Sequence, residues 1–183
     1  MKSKTFSRKL ILSEAINLAK EVGFKKLTMR SLANRLNCSV MPIYDTFSSK
    51  EMLVEEVYNE IIRDNIKSDN YFERNIEVLL TGIRSPILHR DIREYGSKSY
   101  EFDQLYLDTI KLMAIESRFK KFNRQVCESI HFDISIYITG LIERKMNQNY
   151  EIPDYENYCV ETLNQFVELL IMGYEKALMD GAL

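Results

Sequence analysis

Between Gly23 and Leu53, three hydroxyl residues able to start a helix recur at helix-length spacing, each flanked by apolar residues. That pattern dictates short helices joined by tight turns rather than strands or one long helix. Thr28 can cap MRSLANRL, with Leu27 and Leu32 placed as a hydrophobic staple across the cap. Ser39 can cap VMPIYDTF, and Pro42 then falls in the first turn, where a missing N–H is harmless because those donors lack intrahelical partners. Ser48 and Glu51 have the S-x-x-E spacing of a capping box, with Phe47 and Met52 as its staple. Asn37 stands where the turn needs a residue tolerant of left-handed backbone.

An amphipathic helix precedes this segment. Ser7 can cap it, Ile11, Ala15, Leu18, Ala19 and Val22 form its apolar stripe, and Gly23 ends it. Packed over Leu32, Leu36 and Phe47, that stripe completes a three-helix unit, in which burial supplies the stability that such short helices lack alone. The two short helices and their turn form a helix-turn-helix, the arrangement that lays one helix in the major groove of DNA.

Gly23, Thr28, Arg30, Leu32, Ala33, Ser39, Ile43, Tyr44, Phe47, Ser49, Lys50 and Leu53 fall in register on the N-terminal signature of the TetR/AcrR family of bacterial transcriptional regulators, which this segment resembles. The resemblance covers roughly the first 65 residues. It implies that Thr28, Arg30, Tyr44 and Lys50 contact phosphates, which position a protein on DNA without reading its sequence. Base edges would be read by Ser39, Val40 and Met41. The last two are apolar, so they can sense thymine methyl groups but cannot make the bidentate hydrogen bonds that single out G or A. Lys2, Lys4 and Arg8 are candidates for a minor-groove arm. The chain departs from the family pattern at Met41-Pro42 and at Asp45-Thr46. Phe47 is expected in the core, and Tyr44 fits either the core or the DNA face.

Charge points the same way independently. The formal net charge is −2, yet residues 1–50 hold ten Lys or Arg against three acidic residues, so this segment is +7 and the remainder −9. Attraction for phosphate is therefore concentrated at one end of a chain whose overall balance would suggest none.

Six glycines and three prolines in 183 residues leave little room for the tight turns of a sheet, and the apolar period is helical almost throughout. The expected fold is all-α: an N-terminal three-helix helix-turn-helix domain at residues 1–50, then a helical domain at 51–183 whose first stretch, 51–66, is a linking helix. Further helices are expected at about 71–85, 86–95, 99–121, 123–148 and 154–179. The last two carry broad apolar stripes. Gly140 and Gly173 interrupt them at a cost of about 1 kcal/mol each relative to alanine, which a close helix approach would explain. The resemblance implies that these two helices pair with their symmetry mates in a homodimer, and that residues 51–183 form an effector-binding and dimerisation domain. Tyr100, Tyr106, Met113, Phe122 and Tyr137 are candidate liners of an effector pocket, with Tyr95, Phe102, Phe119 and His131 in the same set, and they suit an apolar or aromatic effector. Aromatic residues at helical spacing are more often plain core than a ligand box.

No catalytic residue is assigned. The chain has two histidines, no H-E-x-x-H, no G-x-S-x-G and no glycine-rich phosphate loop, so it is not expected to be an enzyme or to need a metal or cofactor. Three cysteines without C-x-x-C spacing fit a reducing cytoplasm, and no stretch approaches a signal peptide or a membrane span. The expected function is a sequence-specific DNA-binding transcriptional regulator, a repressor released from a double-stranded DNA operator by a small effector. The alternative is a helical protein-interaction adaptor, or a regulator controlled by a protein co-regulator.

Overall fold

The computed structural model describes residues 6–96, 100–147 and 152–182, with the backbone alone for 95, 96 and 100–105. Among them it contains nine α-helices and no strand: α1 (Arg8–Val22), α2 (Met29–Leu36), α3 (Met41–Thr46), α4 (Lys50–Asn65), α5 (Tyr71–Arg84), α6 (Pro86–Gly96), α7 (Tyr100–Ile115), α8 (Arg124–Asn147) and α9 (Tyr155–Met179). The fold is all-α, as the sequence indicates. No helix of the described residues is long and apolar enough to cross a membrane. The chain packs into two compact units, Met1–Asn65 with Ile87–Glu101, and Ile66–Pro86 with Phe102–Leu183.

In the first unit α1 packs on α2 and α4, and α2 on α3. Ile11, Ala15, Ala19, Leu27, Leu32, Ile43, Phe47, Leu53 and Val57 are wholly buried. Burying such side chains is worth about 1.5–3 kcal/mol each for the larger ones, enough to hold a helix as short as α3. Local signals set the helix ends. Ser7 Oγ accepts from Leu10 N–H at 3.2 Å, and Thr28 Oγ1 accepts from Ser31 N–H at 3.0 Å. Ser31 Oγ returns the bond by accepting from Thr28 N–H at 2.9 Å, so serine fills the place glutamate usually takes in a capping box. Asn37 is left-handed at φ 51°.

Two caps differ from expectation. The residue at the start of α3 is Val40, not Ser39, and no side chain caps it; Val40 C=O accepts from Ile43 and Tyr44 N–H, while Pro42 removes one donor that would otherwise need a partner. The cap of α4 is Ser49, whose Oγ accepts from Met52 N–H at 3.2 Å, rather than Ser48 with Glu51. The shift by one residue leaves Met52 exposed and makes Leu53 the buried residue of that turn, so the expected Phe47–Met52 staple does not form. Glu51, still in the first turn, is held below the usual carboxylate range by hydrogen bonds from its backbone N–H and from Ser49, with Lys50 adding to the effect.

In the second unit α5, α8 and α9 pack pairwise around one apolar core. Helix α7 stops at Ile115 instead of about 121, because Ser117–Phe119 form a 3₁₀ turn that drives Phe119 into the core beside the Tyr71 and Phe72 rings. Phe132 and Ile136 on α8, and Leu169, Met172 and Met179 on α9, lie more than half exposed. A Cβ placed at Gly140 or Gly173 would meet nothing within 4 Å among the described residues, so no close approach among them accounts for either glycine.

Among the described residues, each unit holds one half-buried histidine. His131 is hydrogen bonded through Nδ1 to the Tyr71 hydroxyl at 3.0 Å, and burial brings its pKa down to about 4. His89 on α6 is likewise lowered to about 4, by burial and then by Arg93. Both values lie below the ~6.5 of an unfolded histidine, so below pH 6.5 the unfolded chain takes up protons that the folded chain refuses. The stability is fully present above pH 6.5 and is lost as pH falls towards 4, by at most about 3 kcal/mol per histidine. Urea unfolding at pH 7.5 and pH 5 checks this. His131→Gln is expected to reduce the difference between the two pH values, and an unchanged difference would exclude His131 as its source.

Candidate nucleic-acid interface

The turn Asn37–Val40 and helix α3 present a mixed edge. Met41 is 65 % exposed, Tyr44 49 % and Val40 39 %, while Ile43 and Phe47 on the opposite side are wholly buried. Ser39 is exposed beside them. Tyr44 thus takes the outward alternative and Phe47 the core. Asp45 is exposed as well.

The cations separate into two groups that a charge count cannot distinguish. Arg30, on the first turn of α2, is exposed and makes no ion pair among the described residues, so its guanidinium is open to a phosphate. Lys50 at the start of α4 reaches Lys25 C=O at 3.4 Å, a long bond that leaves two of its protons free. Thr28, half-buried, spends its hydroxyl on the cap of α2, so its role is to fix where α2 begins.

Other cations hold the unit together. Arg35 bridges Glu21 through two bonds of 2.6 and 2.7 Å and Glu14 through one of 2.9 Å, tying α2 to α1; Glu21 is correspondingly held below the usual carboxylate range and Arg35 above its own. Arg8 pairs with Glu56, donates to Thr46 C=O at 2.9 Å and lies 4.6 Å from the centre of the Phe47 ring. It is therefore a clamp between α1, α3 and α4, not a free member of a minor-groove arm, while Lys2 and Lys4 fall outside the described residues. Lys25 pairs with Glu94 of α6 at 2.8 Å.

The turn leaving α1 depends on a residue that no local pattern identifies. Gly23 has φ 79° and ψ 170°, a region essentially reserved for glycine, and Asp91 of α6 packs against it and accepts from Lys25 N–H at 3.4 Å. Asp91 is 4 % exposed and 66 residues from Lys25 in sequence. Only the three-dimensional packing identifies it.

The candidate effector residues of the second unit do not converge on one space. Phe122 borders a cavity of about 390 Å³ between α7 and the start of α8. Met113 is wholly buried core, Tyr137 stacks on Phe166 at 3.9 Å, and the half-exposed Tyr106 ring lies 5.6 Å from that of His131. Phe119 also borders the cavity, whereas the side chains of Tyr95, Tyr100 and Phe102 fall outside those described.

The family model for bacterial regulatory proteins of the tetR family matches residues 11–57, the stretch that holds α1, α2, α3 and the first half of α4. The uncharacterized HTH-type transcriptional regulator YvaF of Bacillus subtilis (strain 168) is 38 % identical over 73 residues, 39 % of this chain and 38 % of that relative. The chain thus spans well under half the length of the curated relative it matches. Two crystal structures of TetR from Acinetobacter baumannii AYE each cover 93 % of this chain and 97 % of their own. One, a variant in complex with minocycline, has TM-score 0.62 and 18 % identity; the other has TM-score 0.59 and 17 % identity. At such identities these share the fold. Over residues 11–57, its N-terminal helix-turn-helix, the chain is thus similar to the tetR family of bacterial regulatory proteins.

Proposed function

We propose that this chain is a dimeric, cytoplasmic, sequence-specific DNA-binding transcriptional regulator, a repressor released from its operator by a small effector bound within residues 51–183. The observation that carries this reading is the exposed edge of Val40, Met41 and Tyr44 above a buried Ile43 and Phe47, with unpaired Arg30 and nearly free Lys50 on the adjoining helices. Residues 1–50 would act on DNA, with Arg30, Tyr44 and Lys50 holding phosphates and Ser39, Val40 and Met41 meeting base edges. Thr28 serves that edge by starting α2 in the right place.

The exposed apolar residues of α8 and α9, beside two glycines with empty surroundings, support a second copy of the chain as the partner of those helices. A two-fold dimer carries two reading helices and so requires half-sites about one DNA turn, roughly 34–36 Å, or a multiple apart. An effector that favours the DNA-incompetent arrangement by about 1–3 kcal/mol then releases the operator.

Binding of the purified protein to the DNA upstream of its own gene, against scrambled DNA of equal length, tests this. The expected result is two chains per site, an affinity for the native fragment about a thousandfold or more above that for scrambled DNA, and a steep salt dependence. Failure to bind either DNA at low salt would overturn the reading in favour of a protein partner.

A further inference from the structure

The cavity between α7 and α8 adds charge to the pocket for an apolar or aromatic effector that the sequence suggests. Its walls are Leu107, Ile110, Phe119 and Phe122, with Cys127 also facing it. The charged residues that border it are Lys111, Lys120 and Arg124, and no acidic residue among those described borders it. At about 390 Å³ it falls within the size range of small-molecule sites.

We propose that this cavity binds a small amphipathic organic anion, its apolar body against Phe119 and Phe122 and its carboxylate or similar oxyanion head on Lys120 and Arg124. The proposal deepens the effector reading given above and rests on it for any regulatory role, although binding itself stands apart from DNA.

The donors are available. Lys120 has no partner among the described residues. Arg124 engages Glu128 through Nε at 2.8 Å, which leaves its terminal N–H groups to form a fork with a planar oxyanion. Lys111 holds Asp108 at 2.8 Å and keeps two further protons. Asp108 and Glu128 therefore offset two of the three cations, and Lys120 supplies the excess charge. A neutral guest would strip water from Lys120 without replacing its hydrogen bonds, and a cationic guest would be repelled, so the cavity discriminates by the sign of the head group.

The test uses the full chain and two matched pairs of probes, 2-naphthoate with 2-naphthamide and decanoate with decanamide, titrated by calorimetry at low salt. Each carboxylate is expected to bind about tenfold more tightly than its amide, in line with two partly exposed charge pairs. Lys120→Gln, a change at an exposed position, is expected to bring the two members of a pair to within about threefold. Equal binding of acid and amide by the wild-type chain, or no binding of either acid at millimolar concentration, would overturn the proposal. Operator affinity measured with saturating naphthoate separates the two readings. A change of about fivefold or more is expected for an effector, whereas tight acid binding with unchanged operator affinity would keep the site and overturn its regulatory role.

Discussion

Gly23→Ala is expected to destabilise the protein by about 3 kcal/mol, combining the conformational penalty of a non-glycine residue in this region with damage to a hydrogen bond to a buried carboxylate. A Cβ at this position would lie 2.3 Å from Asp91 Oδ2 and 2.9 Å from Ile87 Cγ2. Asp91 would have to turn away, and the Lys25 N–H that it accepts would be left short of a partner in a part-buried turn. Ile87 would have to shift as well. Urea unfolding monitored by circular dichroism measures the loss, and Gly140→Ala is the reference because its Cβ meets nothing within 4 Å of the same chain. A loss below about 1 kcal/mol for Gly23→Ala would mean that the turn relaxes freely and that α6 does not constrain it.

Removing Arg30 and Lys50 together is expected to weaken operator binding by about two to three orders of magnitude at moderate salt. In a dimer the double substitution deletes four phosphate-directed charges, so the slope of log affinity against log salt should become shallower by roughly 3.6. Folding should survive, because Arg30 is exposed without an ion pair and Lys50 makes only one long bond. Arg35→Ala provides the opposite outcome. Its guanidinium is committed to Glu14 and Glu21, so its loss should lower stability slightly and leave the salt slope nearly unchanged. Fluorescence anisotropy across a salt series reads both. An unaltered slope in the double variant would remove these two residues from the DNA contacts.

That contrast also marks where sequence reasoning reaches its limit. Ser7, Gly23, Thr28 and Asn37 could be read directly, because a cap or a left-handed turn is specified within a few residues. The outward positions of Val40 and Met41 agree with what the resemblance implied, whereas Tyr44 fitted either side of its helix until the packing of Ile43 and Phe47 turned it outward. Choosing between Ser48 and Ser49 was not, since both offer the same hydroxyl and the inward position of Leu53 decides between them. Likewise α7 ends early for the sake of Phe119, whose ring partners Tyr71 and Phe72 are distant in sequence. Arg8, Arg30 and Arg35 contribute equally to a sum of charges, and only packing between helices reveals which of them remains available. In the cavity, the basic rim has no signature in the sequence because Lys111, Lys120 and Arg124 lie on solvated faces of their own segments.

The first unit is also assembled in two instalments. Its chain runs to Asn65, leaves to begin the second unit at Ile66, and returns only at Ile87 to supply Asp91 beside Gly23. On the ribosome, the turn after α1 therefore waits unsupported until residues well beyond α5 have emerged. A fragment ending at Asn65 would keep every residue of the proposed DNA-reading edge and lose the carboxylate that accepts from Lys25, so the stretch proposed to carry recognition is shorter than the part that must fold together.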